Sequence, residues 1–126
     1  MTERQLPEPT RLVLTALADE PRHGYAIVQE VLAITGGRTR LLTGTLYTAL
    51  DRLLQQGLVE VRHEEVVSGR LRRTFALTGR GRDTLAEETL RLRAGAAEAE
   101  RRLAVGRGRG RGRGRGTALR PDGATA

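Results

Sequence analysis

Residues 43–59 read Thr-Gly-Thr-Leu-Tyr-Thr-Ala-Leu-Asp-Arg-Leu-Leu-Gln-Gln-Gly-Leu-Val. Both ends of a helix are written in this stretch. Thr43 can offer its hydroxyl to the unpaired N–H groups of a first turn, and Gly57 can take the left-handed conformation that closes a helix. Between them Leu46, Leu50, Leu53 and Leu54 recur at the helical period and define a core face. Thr45, Tyr47, Thr48, Asp51, Arg52 and Gln55 fall largely outside it. Hydroxyls, a phenol and a guanidinium on one helix face can reach phosphates and base edges, and their clustering toward the N-terminal end suits insertion into a DNA major groove. A solvated helix face would carry the same groups, so this stretch alone leaves both readings open.

Working outward, Gly24 to Thr35 places apolar Ala26, Ile27, Val31 and Leu32 around polar Gln29 and Glu30, and Gly36-Gly37 then breaks the helix. An earlier helix, Thr10 to Asp19, offers Leu12, Val13, Ala16 and Leu17. After residue 57 the pattern changes. Leu58 to Glu64 has strand character, Ser68-Gly69 marks a turn, and Leu71 to Leu77 gives a second strand with Leu71, Phe75 and Leu77 on one face. Helix, turn, helix and hairpin in that order predict a winged helix-turn-helix, mainly α with a small β-hairpin.

Thr78 is placed to cap a last helix from about Gly79 to Ala104. In it Leu85, Leu92, Ala96, Ala99 and Leu103 follow at spacings of 7, 4, 3 and 4, and Leu90 and Ala97 widen the stripe. At about 1.5 Å per residue such a helix is long for so small a domain, and its stripe needs a cover. A second protomer would supply one, making this a long C-terminal dimerisation helix, with Leu12 of the first helix packing against the same region. Folding back onto its own domain is the alternative. The expected organisation is therefore an N-terminal extension (1–9), a winged-helix domain (10–78), a dimerisation helix (79–105) and a tail (106–126).

The formal charge of +7 is unevenly spread. Residues 1–105 hold 16 Arg against 14 Asp plus Glu, a net +2, while residues 106–126 hold 6 Arg against one Asp, a net +5. All basic residues are Arg, and the folded part must rely on local placement of arginines rather than on a large field. From Gly106 to Gly116 glycine and arginine alternate strictly. That composition cannot bury a core and predicts disorder, in which Arg107, Arg109, Arg111, Arg113 and Arg115 could follow phosphates without reading sequence. A tolerated low-complexity repeat fits the same residues.

Four motifs in order resemble the PadR-like transcriptional regulators, most of all the short members with a single C-terminal helix. They are His23-Gly24-Tyr25, then Gly44-Thr45-Leu46-Tyr47 with Leu50, Arg52 and Leu53, then Gly57-Leu58-Val59, and finally Phe75-Ala76-Leu77-Thr78. The resemblance covers roughly residues 10–104. It implies a dimeric winged-helix protein, usually a repressor, that binds inverted repeats in double-stranded DNA and in several relatives releases them when a small-molecule effector binds. One departure concerns that effector. Relatives that hold flat apolar drugs look as if they use aromatic side chains at the dimer interface, whereas this chain has no Trp, and Tyr25, Tyr47 and Phe75 all lie inside the winged-helix region.

On this reading base edges fall to Thr43, Gly44, Thr45, Thr48 and Arg52. Tyr25 and Tyr47 suit phosphates, because a phenol donates one hydrogen bond and carries little base information. Arg70, Arg72 and Arg73 form the basic end of the wing, and strand alternation puts Arg72 and Arg73 on opposite faces, so both are not expected to touch DNA. A protein that coats nucleic acid through its tail, and a winged helix that binds protein only, remain the alternatives.

Enzymatic readings find little support. His23 and His63 have no Cys to pair with and His23 fits the turn before a helix; no Lys exists for a phosphate-binding loop, and Gly79-Arg80-Gly81-Arg82-Asp83-Thr84 lacks the last glycine of a dinucleotide fingerprint. Neither a metal nor another cofactor is expected. Without Cys there is no disulfide framework. No apolar run reaches the roughly 20 residues of a membrane span, and the first residues lack the apolar stretch of a secretory signal, so a cytoplasmic location is expected.

Overall fold

The computed structural model describes the backbone of residues 5–113 and side chains through Arg109. Two compact units divide at Thr89 and Leu90. The first contains helices α1 (Glu8–Ala16), α2 (Gly24–Ile34) and α3 (Thr43–Gln55) and strands β1 (Arg22–His23), β2 (Val59–Val67) and β3 (Arg70–Leu77). Helix α4 (Gly79–Arg113) begins in the first unit and makes up the described part of the second.

Helix α1 starts two residues before the expected Thr10. Pro7 takes the extended conformation that leads into a helix, Pro9 sits in a first turn where its missing N–H is no loss, and Glu8 favours the positive helix end. Helix α2 is capped by His23, whose Nδ1 accepts from the Ala26 N–H at 3.4 Å. That is the turn role the sequence implied for this histidine. At the other end Gly36 and Gly37 adopt positive φ, and the Gly37 N–H donates to the Leu32 carbonyl at 2.8 Å.

The start of α3 differs from expectation. Leu42 occupies the N-cap position with no side-chain cap, so Thr43 is already the first helical residue and its hydroxyl is released from capping. The other end follows the sequence closely. Gly57 has φ +75°, its N–H donates to the Leu54 carbonyl, and the Leu58 N–H reaches back to the Leu53 carbonyl. This pair of hydrogen bonds is a Schellman motif, with Leu53 and Leu58 both buried beside it.

The hairpin closes through Ser68-Gly69, both at positive φ, as a two-residue turn between right-twisted strands requires. Pairing is antiparallel and shifts by one residue at Arg62, between Val61↔Phe75 and His63↔Thr74. Strand β1, for which two residues give no periodic signal, adds a third member in the order β1-β3-β2. Phe75, Ala76 and Leu77 are buried at the root of the wing, but Leu71, expected beside Phe75 and Leu77, is 57% exposed because the ribbon outruns the core there.

One core unites the first unit. Leu12, Val13, Leu14, Ala16 and Leu17 meet Ile27, Val31, Leu46, Leu50, Leu53, Phe75 and Leu77. Two expectations about dimerisation change here: Leu12 is buried in this core at 3% exposure, and Leu85 packs on it from the first turns of α4. Leu12 therefore has no surface left for a seam, whereas Leu85 is only partly buried.

Helix α4 is tied to the domain by Thr78. Its hydroxyl donates to the Gly57 carbonyl at 2.7 Å and accepts from the Gly81 N–H at 3.0 Å, which makes it the expected cap. Gly81 lies directly on the Leu58 carbonyl, where any side chain would collide. The helix continues to Arg113, eight residues past the expected boundary at 105, so residues 106–113 are helical rather than part of a disordered tail. Each glycine there costs about 1 kcal/mol relative to alanine, but arginine is a good helix former and extending a nucleated helix adds a backbone hydrogen bond per residue. Arg107 and Arg109 are exposed on this stretch. The side chains of Arg111 and Arg113, and all of Arg115 and the rest of the tail, lie outside the described residues.

Candidate nucleic-acid interface

Alternation of buried and exposed positions on α3 follows from its sequence. Leu46, Ala49, Leu50 and Leu53 enter the core, which leaves Thr43, Gly44, Thr45, Tyr47, Thr48, Asp51 and Arg52 exposed. They form a ridge with a depression on each flank. On one flank an open groove of about 430 Å³ runs between the start of α2, Tyr47 and the wing; Tyr25, Arg70, Arg72 and Arg73 line it. The other flank, about 520 Å³, is lined by Gly44, Thr45, Thr48 and Arg52 facing Pro7, Pro9 and Thr10. Thr43 lies on a third depression with Arg40, Leu42 and Tyr25.

All ten of the sequence-assigned interface residues thus surround one helix, in two chemically different groups. Phenols and wing arginines gather on one flank and Thr45, Thr48 and Arg52 on the other, while Thr43 lies apart beside Tyr25. The position of Tyr47 depends on Gly24. A Cβ at residue 24 would overlap the Tyr47 hydroxyl and stand 3.2 Å from its Cζ, so the phenol can lie across the start of α2 only because glycine is there. Tyr25 beside it is 68% exposed.

The wing differs from the sequence expectation in one respect. Arg72 and Arg73 leave opposite faces of β3, yet both line the groove. Both are also paired with carboxylates: Arg73 Nε donates to Glu64 Oε2 at 3.0 Å, and Arg72 lies 3.9 Å from Glu65 Oε2. His63 Nε2 stands 3.6 Å from the other oxygen of Glu65.

Residues not singled out from sequence also reach this surface. Leu42 is 69% exposed beside Thr43, and Arg40 lines the same depression. The Arg38-Thr39-Arg40 run immediately before the helix was the available signal for Arg40; Leu42 had none, because an apolar residue before a helix usually packs inward. Arg22 has a structural task. It donates to the Ala16 carbonyl at 2.8 Å and pairs with Asp19, Glu20 and Glu30, locking the end of α1 to β1 and α2.

In the second unit Leu90, Leu92, Leu103 and Val105 are exposed on α4, as are Ala96 and Ala99. Arg101 and Arg102 both bond Glu98, and these contacts, Arg101 first, hold its carboxyl below the usual carboxylate range. Among the described residues no group of His, Cys, Asp and Glu could hold a metal ion, and no helix is long and apolar enough to cross a membrane.

Three helices, a two-stranded wing and an exposed polar helix ridge define a winged helix-turn-helix fold. A family model described as the transcriptional regulator PadR-like family matches residues 13–87. The chain belongs to the PadR-like family of transcriptional regulators. An uncharacterized 37.1 kDa protein in transposon Tn4556 of Streptomyces fradiae is 47% identical over 77 residues, which are 61% of this chain and 21% of that protein. Transcriptional regulator Rv3488 of Mycobacterium tuberculosis is 38% identical over 76 residues, covering 60% of this chain and 67% of the relative. This chain therefore spans about a fifth of the first relative and two thirds of the second. A PadR family transcription regulator from Clostridium difficile R20291 has a similar structure, with a TM-score of 0.64, 25% identity and coverage of 77% of this chain and 99% of that one.

Proposed function

We propose that this protein is a sequence-specific regulator, a repressor that binds an inverted-repeat operator in double-stranded DNA as a homodimer in the cytoplasm. The observation that carries the reading is the ridge of α3 with its two unlike flanks. A helix seated in a major groove faces base edges along its crest and a phosphate backbone on each side. Thr43, Gly44, Thr45, Thr48 and Arg52 then read bases. Tyr25, Tyr47 and the tip of the wing at Arg70 hold one backbone, and this polar division supports placing the wing beside it.

A second copy covers Leu92, Ala96, Ala99 and Leu103 of α4. Each leucine fully buried there contributes up to about 1.5–3 kcal/mol toward association. Inverted-repeat recognition follows from the two-fold symmetry of such a pair. A small-molecule effector would need a site other than an aromatic sandwich at the dimer seam, since Tyr25 and Tyr47 line the α3 grooves and Phe75 is in the core. Nonspecific phosphate contacts by the Gly-Arg segment would add to affinity without changing base preference.

Binding of fluorescent duplexes tests the reading. Wild type should prefer the region upstream of its own coding sequence to random DNA, and Thr45→Ala with Thr48→Ala should lower that preference by about 1–3 kcal/mol per lost base contact while leaving random-sequence affinity nearly unchanged. A double variant that protects the operator at the wild-type concentration would remove α3 as the reader. Equal binding of both duplexes would favour a coating protein, and binding of neither a protein-interaction module.

A further inference from the structure

The wing carries four arginines, Arg62, Arg70, Arg72 and Arg73, and three glutamates, Glu60, Glu64 and Glu65. Each glutamate is ion-paired with a wing arginine: Glu60 with Arg62, Glu64 with Arg73, and Glu65 with Arg72. Among the described ion pairs Arg70, next to the Ser68-Gly69 turn, has no carboxylate. For a ribbon read as gripping a polyanion, most of the cationic charge is already countered from within.

Register produces this arrangement. The two-residue turn sets Glu64 opposite Arg73 and Glu65 opposite Arg72, and the one-residue shift at Arg62 reconciles that pairing with Val59↔Leu77 at the root. Continuing the root register to the tip would place Glu65 opposite Leu71 and leave Arg73 without a facing acid. The shift therefore permits two opposite-charge cross-strand pairs at the edge of the groove that Tyr25 and Tyr47 also line.

Stability does not account for these pairs. All four side chains are about half exposed, and exposed ion pairs contribute little to folding. Their effect on an approaching phosphate is larger, because each carboxylate both competes for a guanidinium and repels the incoming charge. We infer that Glu64 and Glu65 are specificity-determining residues: they withhold Arg73 and Arg72 from nonspecific phosphate binding, so that the wing engages mainly through Arg70 and discrimination stays with α3. This rests on the DNA-binding reading above.

The test uses full-length protein, a duplex from its own upstream region and a random duplex, titrated across salt concentrations. Glu64→Gln with Glu65→Gln preserves size and should keep the melting temperature. Random-duplex affinity should rise several-fold, and the slope of log affinity against log salt should steepen by about 0.9 for each phosphate newly neutralised. The upstream duplex should tighten less, so the ratio between the two falls. Adding Arg72→Gln and Arg73→Gln should cost more affinity in the glutamine background than in wild type, because only there are the arginines released. An unchanged random-duplex affinity and slope would overturn the inference while leaving α3 as the reader. So would arginine losses equal in both backgrounds, which indicate bulk charge alone. Wild-type protein that binds neither duplex would remove the DNA-binding reading and this inference with it.

Discussion

Replacing Gly81 by alanine tests the junction on which α4 is mounted. The added Cβ would overlap the Leu58 carbonyl oxygen, lie 2.9 Å from its carbon and 3.2 Å from Leu77 Cδ2. The obstructing group is backbone, and it cannot easily give. Leu58 is held on one side by the Schellman motif and on the other by the Thr78 N–H, which donates to this same carbonyl at 3.1 Å. Overpacking of this kind costs about 1–3 kcal/mol, and the better helix propensity of alanine returns at most about 1 kcal/mol. The net loss should be about 1–2 kcal/mol, or roughly 5–15 °C in melting temperature for a domain of this size. Gly79→Ala is the control two residues away: nothing lies within 4 Å of its added Cβ, so it should melt at or slightly above wild type. Thermal unfolding followed by circular dichroism at matched protein concentration would measure both. Should Gly81→Ala melt with Gly79→Ala, the start of α4 is not seated on the Leu58 carbonyl.

Gly24→Ala should separate stability from binding, because its Cβ meets the far end of Tyr47, a side chain free to swing away. Melting should shift by no more than a few degrees, while the lost phenol contact, about 0.5–1.5 kcal/mol, weakens specific and random duplexes alike; wild-type affinity for both would show that Tyr47 makes no contact. Leu92→Glu puts a charge on the exposed α4 stripe and should yield monomers in sedimentation with the first unit still folded. A variant that stays dimeric and binds DNA normally would assign the interface to another face.

The helix termini show how much of this protein is local. Gly36, Gly37 and Gly57 take the positive φ that their positions demanded, Ser68-Gly69 turns the hairpin, and Thr78 caps α4. Leu46, Leu50 and Leu53 enter the core because period and polarity agree on that face. These features depend on neighbours within a few residues, which is why the order of elements and the ridge of α3 could be written down from sequence. Family membership was legible for the same reason, since its motifs are mostly such turns and caps.

Contacts between distant segments were not legible. Leu12 has the same hydrophobic character as Leu92, and only the packing of α1 on the domain distinguishes a core leucine from an exposed one. Strand β1 exists because β3 offers an edge, not because Arg22-His23 has strand character. Likewise the wing arginines looked available until register set Glu64 and Glu65 across from them. Sequence specified where the chain turns and which faces are polar; tertiary structure decided which of those faces meet, because burial and charge pairing depend on residues that only the fold brings together.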